Sequence, residues 1–355
     1  MQTRIEKLTK IIKEKEIEAF LVTRRENVRY LTNFTGTAGK VLITDQECIF
    51  ITDFRYLDQA AEQTDGCVIE EISGEFMSGF KKLLDKKSIK ELAFESEDLS
   101  YQLYRAFENK LNLDKLIPTS NLVENLRLIK DETELAKIKE AVRIADLGFD
   151  FLLEFIQPGI TEKEISRELE FFMKREGGEA NAFDFIVASG KRGALPHGVA
   201  SDKKVAKGDL ITIDFGTVYQ GYHSDITRTL AVGEPEPKLK DIYNLVLTVQ
   251  KKVIDEIKPG MSCLKADKIA RDFITAEGYG KNFGHGLGHG IGLEIHEGPR
   301  LSYTADKTLQ PGMVVTDEPG IYISNLGGVR IEDDLLITKD GCEVLNKAPK
   351  ELIIL

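Results

Sequence analysis

The histidines of this chain are concentrated in one part of the sequence. All five lie between His197 and His296, and three of them belong to a glycine-rich stretch over residues 284–297. The same half of the chain contains four carboxylates in strand-like segments: Asp214, Asp225, Glu318 and Glu332. Oxygen and nitrogen ligands from well-separated parts of a chain are what a site for two divalent metal ions requires. The residue types therefore favour a metal-dependent hydrolase.

The two aspartates are predicted to lie on one face of a β-hairpin. If Gln220 and Gly221 form a two-residue turn, position 214 lies opposite position 227 and Asp225 is the diagonal neighbour of Asp214. Diagonal Cα atoms are about 7–8 Å apart, and carboxylates that lean together can hold metals about 3.5–4 Å apart. The alternative is a pair of solvated strand aspartates. The apolar neighbours of Asp214 favour the functional interpretation, because an unpaired carboxylate is costly in such surroundings.

The glycine-rich stretch is predicted to be an extended strand. Glycine at every second position from 284 to 292 argues against a helix, since each glycine costs about 1 kcal/mol relative to alanine. The side opposite these glycines would then carry His285, Leu287, His289 and Ile291. Bare glycine allows a close approach of backbone or ligand, so His289 can serve as a nitrogen ligand with His285 beside it. A His-Glu-x-x-His zinc site needs a helix and is excluded, and no Gly-Lys-Ser/Thr follows to form a phosphate-binding loop.

Two glutamates and two histidines complete the candidate site. Glu318 and Glu332 are predicted on adjacent antiparallel strands joined through residues 324–328. Each glutamate alone is better explained as an exposed strand carboxylate, but both gain weight as members of a five-ligand set. His197 and His296 are assigned functional roles, against the alternative of histidines in the core or in loops.

The elements that must position these residues follow from apolar spacing and capping patterns. Residues 1–122 alternate helices and strands, with an amphipathic helix over 5–16, a strand over 19–22 and a hairpin of 40–44 with 48–52. After a break near 117–121, Asp131 and Thr161 are each followed three residues later by glutamate, which predicts two capped helices. Strands and a second helix pair follow. We therefore predict an α/β (α+β) chain with domains over 1–122 and 123–355.

Composition excludes several other classes of protein. The net charge is −11 and no lysine- and arginine-rich patch with interleaved aromatics occurs, so nucleic acid is not an expected partner. No apolar run approaches the length of a membrane span, and the first residues are charged rather than apolar, so neither a membrane segment nor a signal peptide is expected. The four cysteines have no Cys-x-x-Cys spacing, which is typical of reduced thiols in a cytoplasmic protein.

The motifs of the second domain resemble those of the pita-bread metallopeptidases, in the aminopeptidase P and proline dipeptidase (prolidase) branch. They occur in the family's order: LPHG at 195–198, IDFG at 213–216, SDITR at 224–228, HGLGHGIG at 285–292, TDEPG at 316–320 and RIED at 330–333. Two further motifs, FTGTAG at 34–39 and TDFRY at 52–56, resemble the creatinase-type N-terminal domain with its mixed sheet. The resemblance thus covers nearly the whole chain.

The resemblance implies a dinuclear metal site. Its five ligands would be Asp214, Asp225, His289, Glu318 and Glu332. By resemblance, Asp225 and Glu332 bridge both metals, Asp214 binds one, and His289 with Glu318 binds the other. The filled ligand set argues against the metal-free, creatinase-type amidinohydrolases and against non-catalytic relatives. Carboxylate-rich ligation favours manganese, with cobalt and zinc as alternatives.

The resemblance also implies an activity, hydrolysis of Xaa-Pro bonds in proline-containing peptides. A hydroxide between the metals would be the nucleophile, and Glu318 would accept its proton and pass it to the leaving nitrogen. The remaining catalytic and substrate-binding candidates are His197 on the proline side, His285, His296 and Arg330. The N-terminal motifs favour an Xaa-Pro aminopeptidase, and relatives imply a homodimer.

Two positions leave the substrate preference open. Arg300 could bind a substrate carboxylate bidentately, which would favour an Xaa-Pro dipeptidase, the alternative function; otherwise it is a surface arginine. Asp317 stands beside Glu318 where an uncharged residue is more usual in the family, and we expect it to point away from the metals. His223, in the strand beside Asp225, is expected to be structural.

Overall fold

The chain folds into two compact units. The computed structural model describes residues 3–355, and the chain divides into the units Met1–Arg127 and Leu128–Leu355. The boundary expected between residues 122 and 123 stays a prediction. Among the helices of residues 3–355, none combines the length and hydropathy of a membrane-spanning segment.

The N-terminal unit is built on one mixed sheet flanked by helices. Its helices are α1 (Arg4–Glu14), α2 (Arg25–Thr32), α3 (Leu57–Gln63), α4 (Phe76–Lys87), α5 (Tyr101–Lys110) and α6 (Glu124–Arg127), with a 3-10 turn at Phe54–Tyr56. Its strands are β1 (Ala19–Val22), β2 (Lys40–Thr44), β3 (Cys48–Thr52), β4 (Val68–Glu71), β5 (Glu91–Glu95) and β6 (Lys115–Thr119). The sheet order is β4-β3-β2-β1-β5-β6, with antiparallel pairs around β2 and parallel pairs at both edges.

Local sequence explains the elements of this unit. Thr3 and Glu6 form a capping box at the start of α1. Leu8 and Ile12 are buried and mark the face of this helix that packs against the rest of the unit. Strands β1, β2 and β3 have the bounds that their apolar runs predicted. The predicted mixed α/β sheet is confirmed.

The C-terminal unit contains the predicted long helices and the strands of the candidate site. Its helices are α7 (Glu132–Phe155), α8 (Glu162–Arg175), α9 (Pro237–Glu256) and α10 (Cys263–Ala276), with 3-10 turns at Gly190–Ala194 and Gly280–Asn282. Its first strands are β7 (Ala180–Asn181), β8 (Ile186–Ser189), β9 (Leu210–Phe215), β10 (Thr217–Tyr219), β11 (Tyr222–His223) and β12 (Ile226–Ala231). The later strands are β13 (Gly288–Gly290), β14 (Glu297–Leu301), β15 (Val314–Asp317), β16 (Gly320–Ile323), β17 (Gly327–Arg330), β18 (Asp333–Ile337) and β19 (Cys342–Val344).

This unit consists of two similar halves. In the first half, α7 and α8 pack on the antiparallel sheet β12-β9-β8, with Phe149, Leu169 and Ile211 in the shared core. In the second half, α9 and α10 pack on the five-stranded sheet β14-β13-β15-β18-β19, with Val246 and Val315 in a separate core. The predicted capping boxes of α7 and α8 are both present. Each half therefore presents strands backed by a helix pair.

The aspartate hairpin has the predicted register. Gln220 and Gly221 both have positive φ, at 45° and 78°, as a type I′ turn requires. Tyr219 pairs with Tyr222, and Asp214 lies opposite Thr227. Both aspartates are therefore presented to one side of the first sheet.

The glutamate strands form a second, bent hairpin. Strands β15 and β18 pair through Asp317 and Asp333, while β16 and β17 pair through Gly320 and Arg330 in another sheet. The residues between these pairs lie where the hairpin passes from one sheet to the other. Glu318 and Glu332 thus face each other at the bend, which confirms the adjacent antiparallel arrangement.

Candidate metal and substrate site

The two halves of the C-terminal unit enclose a cavity of about 720 Å³. All of the catalytic, substrate-binding and metal-ligand candidates chosen from the sequence line it: His197, Asp214, Asp225, His285, His289, His296, Arg300, Glu318, Arg330 and Glu332. The hairpin of the first half supplies the two aspartates, and the strands of the second half supply the glutamates. The candidate metal ligands, up to 118 positions apart in sequence from Asp214 to Glu332, are therefore brought to one cavity.

The candidate metal ligands converge at the floor of this cavity. His289 Nε2 lies 3.5 Å from Asp225 Oδ2 and 3.6 Å from Glu318 Oε1. One potential ligand atom from each of Asp225, His289 and Glu332 lies within 4.8 Å of the other two. Such a group of nitrogen and oxygen atoms has the composition of a divalent-cation site.

The hydrogen bonding of the cluster fits bound cations. Asp214 Oδ1 and Asp225 Oδ1 are buried and have no hydrogen-bond partner among residues 3–355, a costly state for a carboxylate. His289 Nδ1 lies 3.0 Å from Gly290 O, so donation by Nδ1–H to this carbonyl leaves Nε2 unprotonated and turned towards the carboxylates. A metal-ligating histidine commonly donates its second ring N–H in this way.

The burial of several carboxylates close together also favours binding of a positive charge among them. Burial, followed by repulsion from Glu332 and Asp214, raises the pKa of Asp225 well above its ordinary value. Burial and the neighbouring carboxylates likewise raise the pKa of Glu332, and burial raises the pKa of Glu318 to about 8. Burial lowers the pKa of His289 to about 4, which keeps its ring neutral. Divalent cations would offset the repulsion among these carboxylates and favour their ionised forms.

Arg330 lies behind Asp214 and holds it in place. Its Nη2 donates to Asp214 Oδ2 at 2.6 Å, Nη1 donates to Tyr322 Oη at 2.8 Å, and Nε donates to Thr227 Oγ1 at 3.0 Å. Nη1 also lies 3.2 Å from Pro196 O. These contacts indicate that Arg330 orients the candidate ligand Asp214 together with Thr227 and Tyr322.

Thr227, Thr316 and Tyr322 complete the shell around the ligands. Thr227 donates to Glu332 Oε2 at 2.6 Å, and Thr316 lies 3.3 Å from Glu318 Oε1. Tyr322 Oη contacts His285 Nε2 at 2.9 Å as well as Arg330. Sequence reasoning assigned none of these three a role. The position of Thr227 beside the candidate ligands could have been predicted, because the predicted register already placed position 227 opposite Asp214.

The other histidines occupy different surroundings. His296 is exposed at the cavity, with its ring in edge contact with His289 at 4.4 Å between centroids. His197 is also exposed and lines the cavity, whereas His285 is half-buried, with Nδ1 3.9 Å from Glu318 Oε2. His223 lies outside the cavity lining, and its Nδ1 is 3.1 Å from Gly292 O.

The prediction that the glycine-rich stretch is one regular strand was wrong. Within it only Gly288–Gly290 is a strand, and Leu287 lies in the hydrophobic core instead of sharing the cavity side with His289. The expected role of glycine is nevertheless borne out. A Cβ on Gly288 would lie 2.1 Å from Thr316 O, and one on Gly290 would lie 2.0 Å from Gly298 O. The glycines thus allow this segment to pack closely against the backbones on both sides of it, and side chains do not alternate regularly between two faces as predicted.

Two charged residues near the ligands lie in contrasting places. Asp317 is fully buried and does not line the cavity. Neither of its carboxylate oxygens has a hydrogen-bond partner in the part of the chain that the structure describes, and burial raises its pKa well above the ordinary value. Arg300 is exposed, lines the cavity and pairs directly opposite His289 in the β13–β14 ladder. Side chains of directly opposed residues emerge on the same face, so the Arg300 guanidinium accompanies His289 on the cavity side.

Comparison with known proteins identifies the class and the family. Residues 136–339 match Metallopeptidase family M24, and residues 4–129 match the Creatinase/Prolidase N-terminal domain. The protein is therefore a metallo-exopeptidase. The chain belongs to metallopeptidase family M24, in its prolidase branch, and the predicted pita-bread fold is confirmed.

Individual relatives cover the whole chain. An Xaa-Pro dipeptidase structure from Bacillus anthracis is 52% identical, with a TM-score of 0.97 and 99% of each chain covered. An Xaa-Pro dipeptidase of Pyrococcus horikoshii is 41% identical over 355 residues, covering 99% of both sequences. The structure of an X-Pro aminopeptidase from Thermotoga maritima is 42% identical, with a TM-score of 0.90, and 95% of this chain and 97% of that chain are covered.

These relatives support hydrolysis of Xaa-Pro peptides by the protein. They support the dipeptidase alternative better than the aminopeptidase that the sequence motifs favoured. The N-terminal motifs, on which the aminopeptidase preference rested, belong to a domain shared across the branch, so they carry little information about substrate length.

Proposed function

We propose that the protein is an Xaa-Pro dipeptidase with a dinuclear metal site. The observation that carries this proposal is the position of Arg300, directly opposite His289 and exposed to the cavity. In a dipeptide the free carboxylate lies one residue from the scissile bond, and consecutive Cα atoms are about 3.8 Å apart. An arginine this close to the ligands suits that carboxylate, because a guanidinium binds carboxylates bidentately.

The proposed metal ligands are the five predicted from the sequence: Asp214, Asp225, His289, Glu318 and Glu332. Cations bound there would polarise the peptide carbonyl and lower the pKa of an attacking water molecule. The carboxylate-rich set favours manganese. Support for the set comes from the unpartnered Asp214 and Asp225 oxygens and from the tautomer of His289.

Glu318 is proposed as the group that moves the proton. Its carboxylate is half-buried at the cavity, and its pKa is about 8 in the absence of a cation, which shows how strongly burial disfavours its charge. A carboxylate beside the reacting water can take up a proton on Oε2 and deliver it to the proline nitrogen. Delivery is necessary because that nitrogen carries no hydrogen before the bond is cleaved.

The exposed histidines are proposed to contact the substrate. His296 lies beside the ligand His289, so its ring can donate a hydrogen bond to the peptide oxygen as negative charge develops there. His197 and its apolar neighbours Pro196 and Val199 line the cavity together with Phe183 and Ile186. These side chains provide the apolar surface that a proline ring requires.

The test of the proposal compares substrates that differ only in their free carboxylate. With manganese present, we expect cleavage of an Xaa-Pro dipeptide to exceed cleavage of Xaa-Pro amide and of an Xaa-Pro-Xaa tripeptide. Arg300→Ala should lower kcat/KM for the dipeptide by about 10- to 100-fold, in keeping with about 1.5–3 kcal/mol for a hydrogen bond to a charged group. The variant should leave the amide nearly unaffected, because that substrate has no carboxylate to lose.

A matched control is Arg300→Lys, which retains the charge but not the bidentate geometry and should fall between the wild type and the alanine variant. Preferential cleavage of the tripeptide, with a preference that Arg300→Ala leaves unchanged, would establish the aminopeptidase instead.

A further inference from the structure

The loop that carries His197 is held by a buried residue outside the cavity. This His197 loop, residues 190–201, follows β8 and contributes Pro196, His197 and Val199 to the cavity lining. Leu195 and Val199 are 52% and 53% exposed, so apolar burial does little to fix this part of the loop. Its position must come from other contacts.

Glu162, the first residue of α8, supplies those contacts at both ends of the loop. The Glu162 side chain is completely buried, and its Oε1 accepts hydrogen bonds from Ser189 N at 2.8 Å and Ser189 Oγ at 2.7 Å. Its Oε2 accepts from Ser201 N at 3.0 Å and Ser201 Oγ at 2.6 Å. The two carboxylate oxygens therefore join the residues on either side of the loop.

A third contact reaches the interior of the loop. Arg192 Nη1 donates to Glu162 Oε2, and Arg192 Nη2 donates to Val199 O at 2.8 Å. Arg192 thus connects the buried carboxylate to the turn that follows His197. With the four serine bonds, Glu162 accepts five hydrogen bonds, one of them from a charged donor, and such bonds are the stronger ones.

The loop in turn touches the residues that orient the metal ligands. Pro196 O accepts from Arg330 Nη1 at 3.2 Å, and the same guanidinium holds Asp214. The loop also packs tightly on β17, since a Cβ on Gly328 would lie 2.1 Å from Gly193 O. Displacement of the loop would therefore move the apolar wall of the cavity before it disturbed Asp214, because Arg330 would keep its bonds to Thr227, Tyr322 and Asp214 itself.

We propose that Glu162 is a positioning residue that sets substrate affinity by fixing the His197 loop against the proline side of the cavity. Glu162 does not line the cavity, and its five hydrogen bonds go to Ser189, the last residue of β8, and to Arg192 and Ser201 of the loop. The inference rests on the proposed function for the identity of the substrate, but the order of the loop can be measured without any substrate.

The decisive variant is Glu162→Gln, which keeps the shape and replaces one acceptor oxygen by a donor that faces other donors. We expect KM for the Xaa-Pro dipeptide and the inhibition constant of L-proline to rise about tenfold, because a displaced loop weakens contacts that the ground state and the transition state share. The value of kcat and the content of bound manganese should stay within about threefold of the wild type. Amide hydrogen exchange should accelerate in residues 190–201.

The matched control is Glu164→Gln, on the same turn of α8. Among residues 3–355, the Glu164 side chain accepts hydrogen bonds from Thr161 alone, in the helix cap. Because glutamine also serves at this position of a capping box, the variant should leave the fold, loop exchange and KM unchanged. Ser201→Ala provides a milder variant that keeps the carboxylate, and it should shift KM in the same direction by a smaller factor. In a His197→Ala background, the effect of Glu162→Gln on KM should shrink.

Three outcomes would overturn the proposal. Loop exchange in Glu162→Gln could match the wild type, its KM could stay unchanged, or its changes could equal those of Glu164→Gln, which would mark a purely structural role. If the wild type cleaved no Xaa-Pro dipeptide, the proposed function would fail, while the difference in loop exchange between the two glutamine variants would still decide whether Glu162 orders the loop.

Discussion

His289 and His296 lie side by side in the cavity, but their surroundings fit different proposed roles, a metal ligand for His289 and a substrate contact for His296. The His289 ring is turned by its bond to Gly290 O so that Nε2 faces Asp225 and Glu318. The His296 ring contacts His289 edge-on and remains exposed. The residue type, histidine, does not distinguish a candidate metal ligand from a candidate substrate contact. The direction of Nε2 in His289, towards the carboxylates, favours the ligand role for that residue.

Alanine substitution of each histidine should separate the two roles. His289→Ala should lower the manganese retained after gel filtration and reduce kcat/KM by at least about 100-fold, because the loss of a residue that merely hydrogen-bonds a metal ligand already costs about 10- to 100-fold. His296→Ala should retain the wild-type metal content and lose activity through kcat. Metal content is measured by plasma mass spectrometry on the purified proteins. Equal metal loss in both variants would contradict the assignment.

Apolar neighbours in the sequence singled out Asp214, whereas the complete set of five candidate ligands was implied by the resemblance of the motifs to the metallopeptidase family. Asp214 sits between Ile213 and Phe215, both fully buried. The roles of Thr227 and Tyr322 were not apparent, since an ordinary hydroxyl gains significance only from what tertiary packing places beside it. Glu162 follows the predicted helix cap Thr161, and its five hydrogen bonds could not be predicted because they depend on residues 27 to 39 positions away.

Strand β13 shows how an element is constrained by the backbones on either side of it. The strand pairs with β14 on one side and with β15 on the other, and its glycines leave no room for a Cβ. A Cβ on Gly288 would also meet Thr316 Oγ1 at 2.7 Å, the group that bonds His289 N. The element therefore positions its histidine through close contact between backbones.

Gly288→Ala should push β13 away from β15 and displace His289. We expect a loss of about 1–3 kcal/mol in the free energy of unfolding, as for other overpacked sites, together with reduced metal retention. Gly284→Ala is the control within the same stretch, because a Cβ there meets nothing within 4 Å. Unfolding in denaturant measures both variants, and equal stability of the two would show that β13 can shift without cost.

Turn chemistry made the aspartate hairpin predictable, because a two-residue turn at Gln220 and Gly221 fixes the register of both strands. The glycine-rich stretch could not be predicted in the same way. Its path is set by β14 and β15, which are remote in sequence, and this is why Leu287 enters the core. Local sequence patterns therefore predict a hairpin well. They predict poorly the path of a segment that packs between two other strands.

At the scale of the whole catalytic unit, the candidate ligands come from two separately packed halves. Asp214 and Asp225 belong to the hairpin backed by α7 and α8, and the other ligands belong to strands backed by α9 and α10. Each half packs largely around its own apolar core, although Leu210 and Ala231 of the first half join the second core. The carboxylates that the two halves contribute to the cavity repel each other when they are ionised and no cation is bound. Bound cations would join them, and metal binding should therefore stabilise the fold.

Addition of manganese to the metal-free protein should raise Tm, by an amount that depends on pH. At 100 times Kd a ligand contributes about 2.7 kcal/mol, and each kcal/mol shifts Tm by about 2–4 °C in a unit of this size. Glu318 has a folded pKa of about 8 against an ordinary 4.5, so the metal-free folded state binds more protons than the unfolded state between these values and loses stability as pH rises. The lowered pKa of His289, about 4 against 6.5, has the opposite effect only below pH 6.5. Between pH 6.5 and 8 the opposing effect of His289 is absent, so the carboxylates should lower the metal-free Tm and the gain from manganese should grow.

Glu318→Gln provides the control for this prediction, because the amide stays neutral at every pH and still fills the same space. Its metal-free Tm should fall less between pH 6.5 and 8, since part of the repulsion among the carboxylates no longer develops. Asp225 and Glu332, whose pKa values are also raised, would retain the remainder. Differential scanning calorimetry with and without chelator, at both pH values, measures these differences. A manganese-induced gain that is the same at both pH values would show that the carboxylates are already ionised in the metal-free protein, and that the two halves meet without the proposed repulsion.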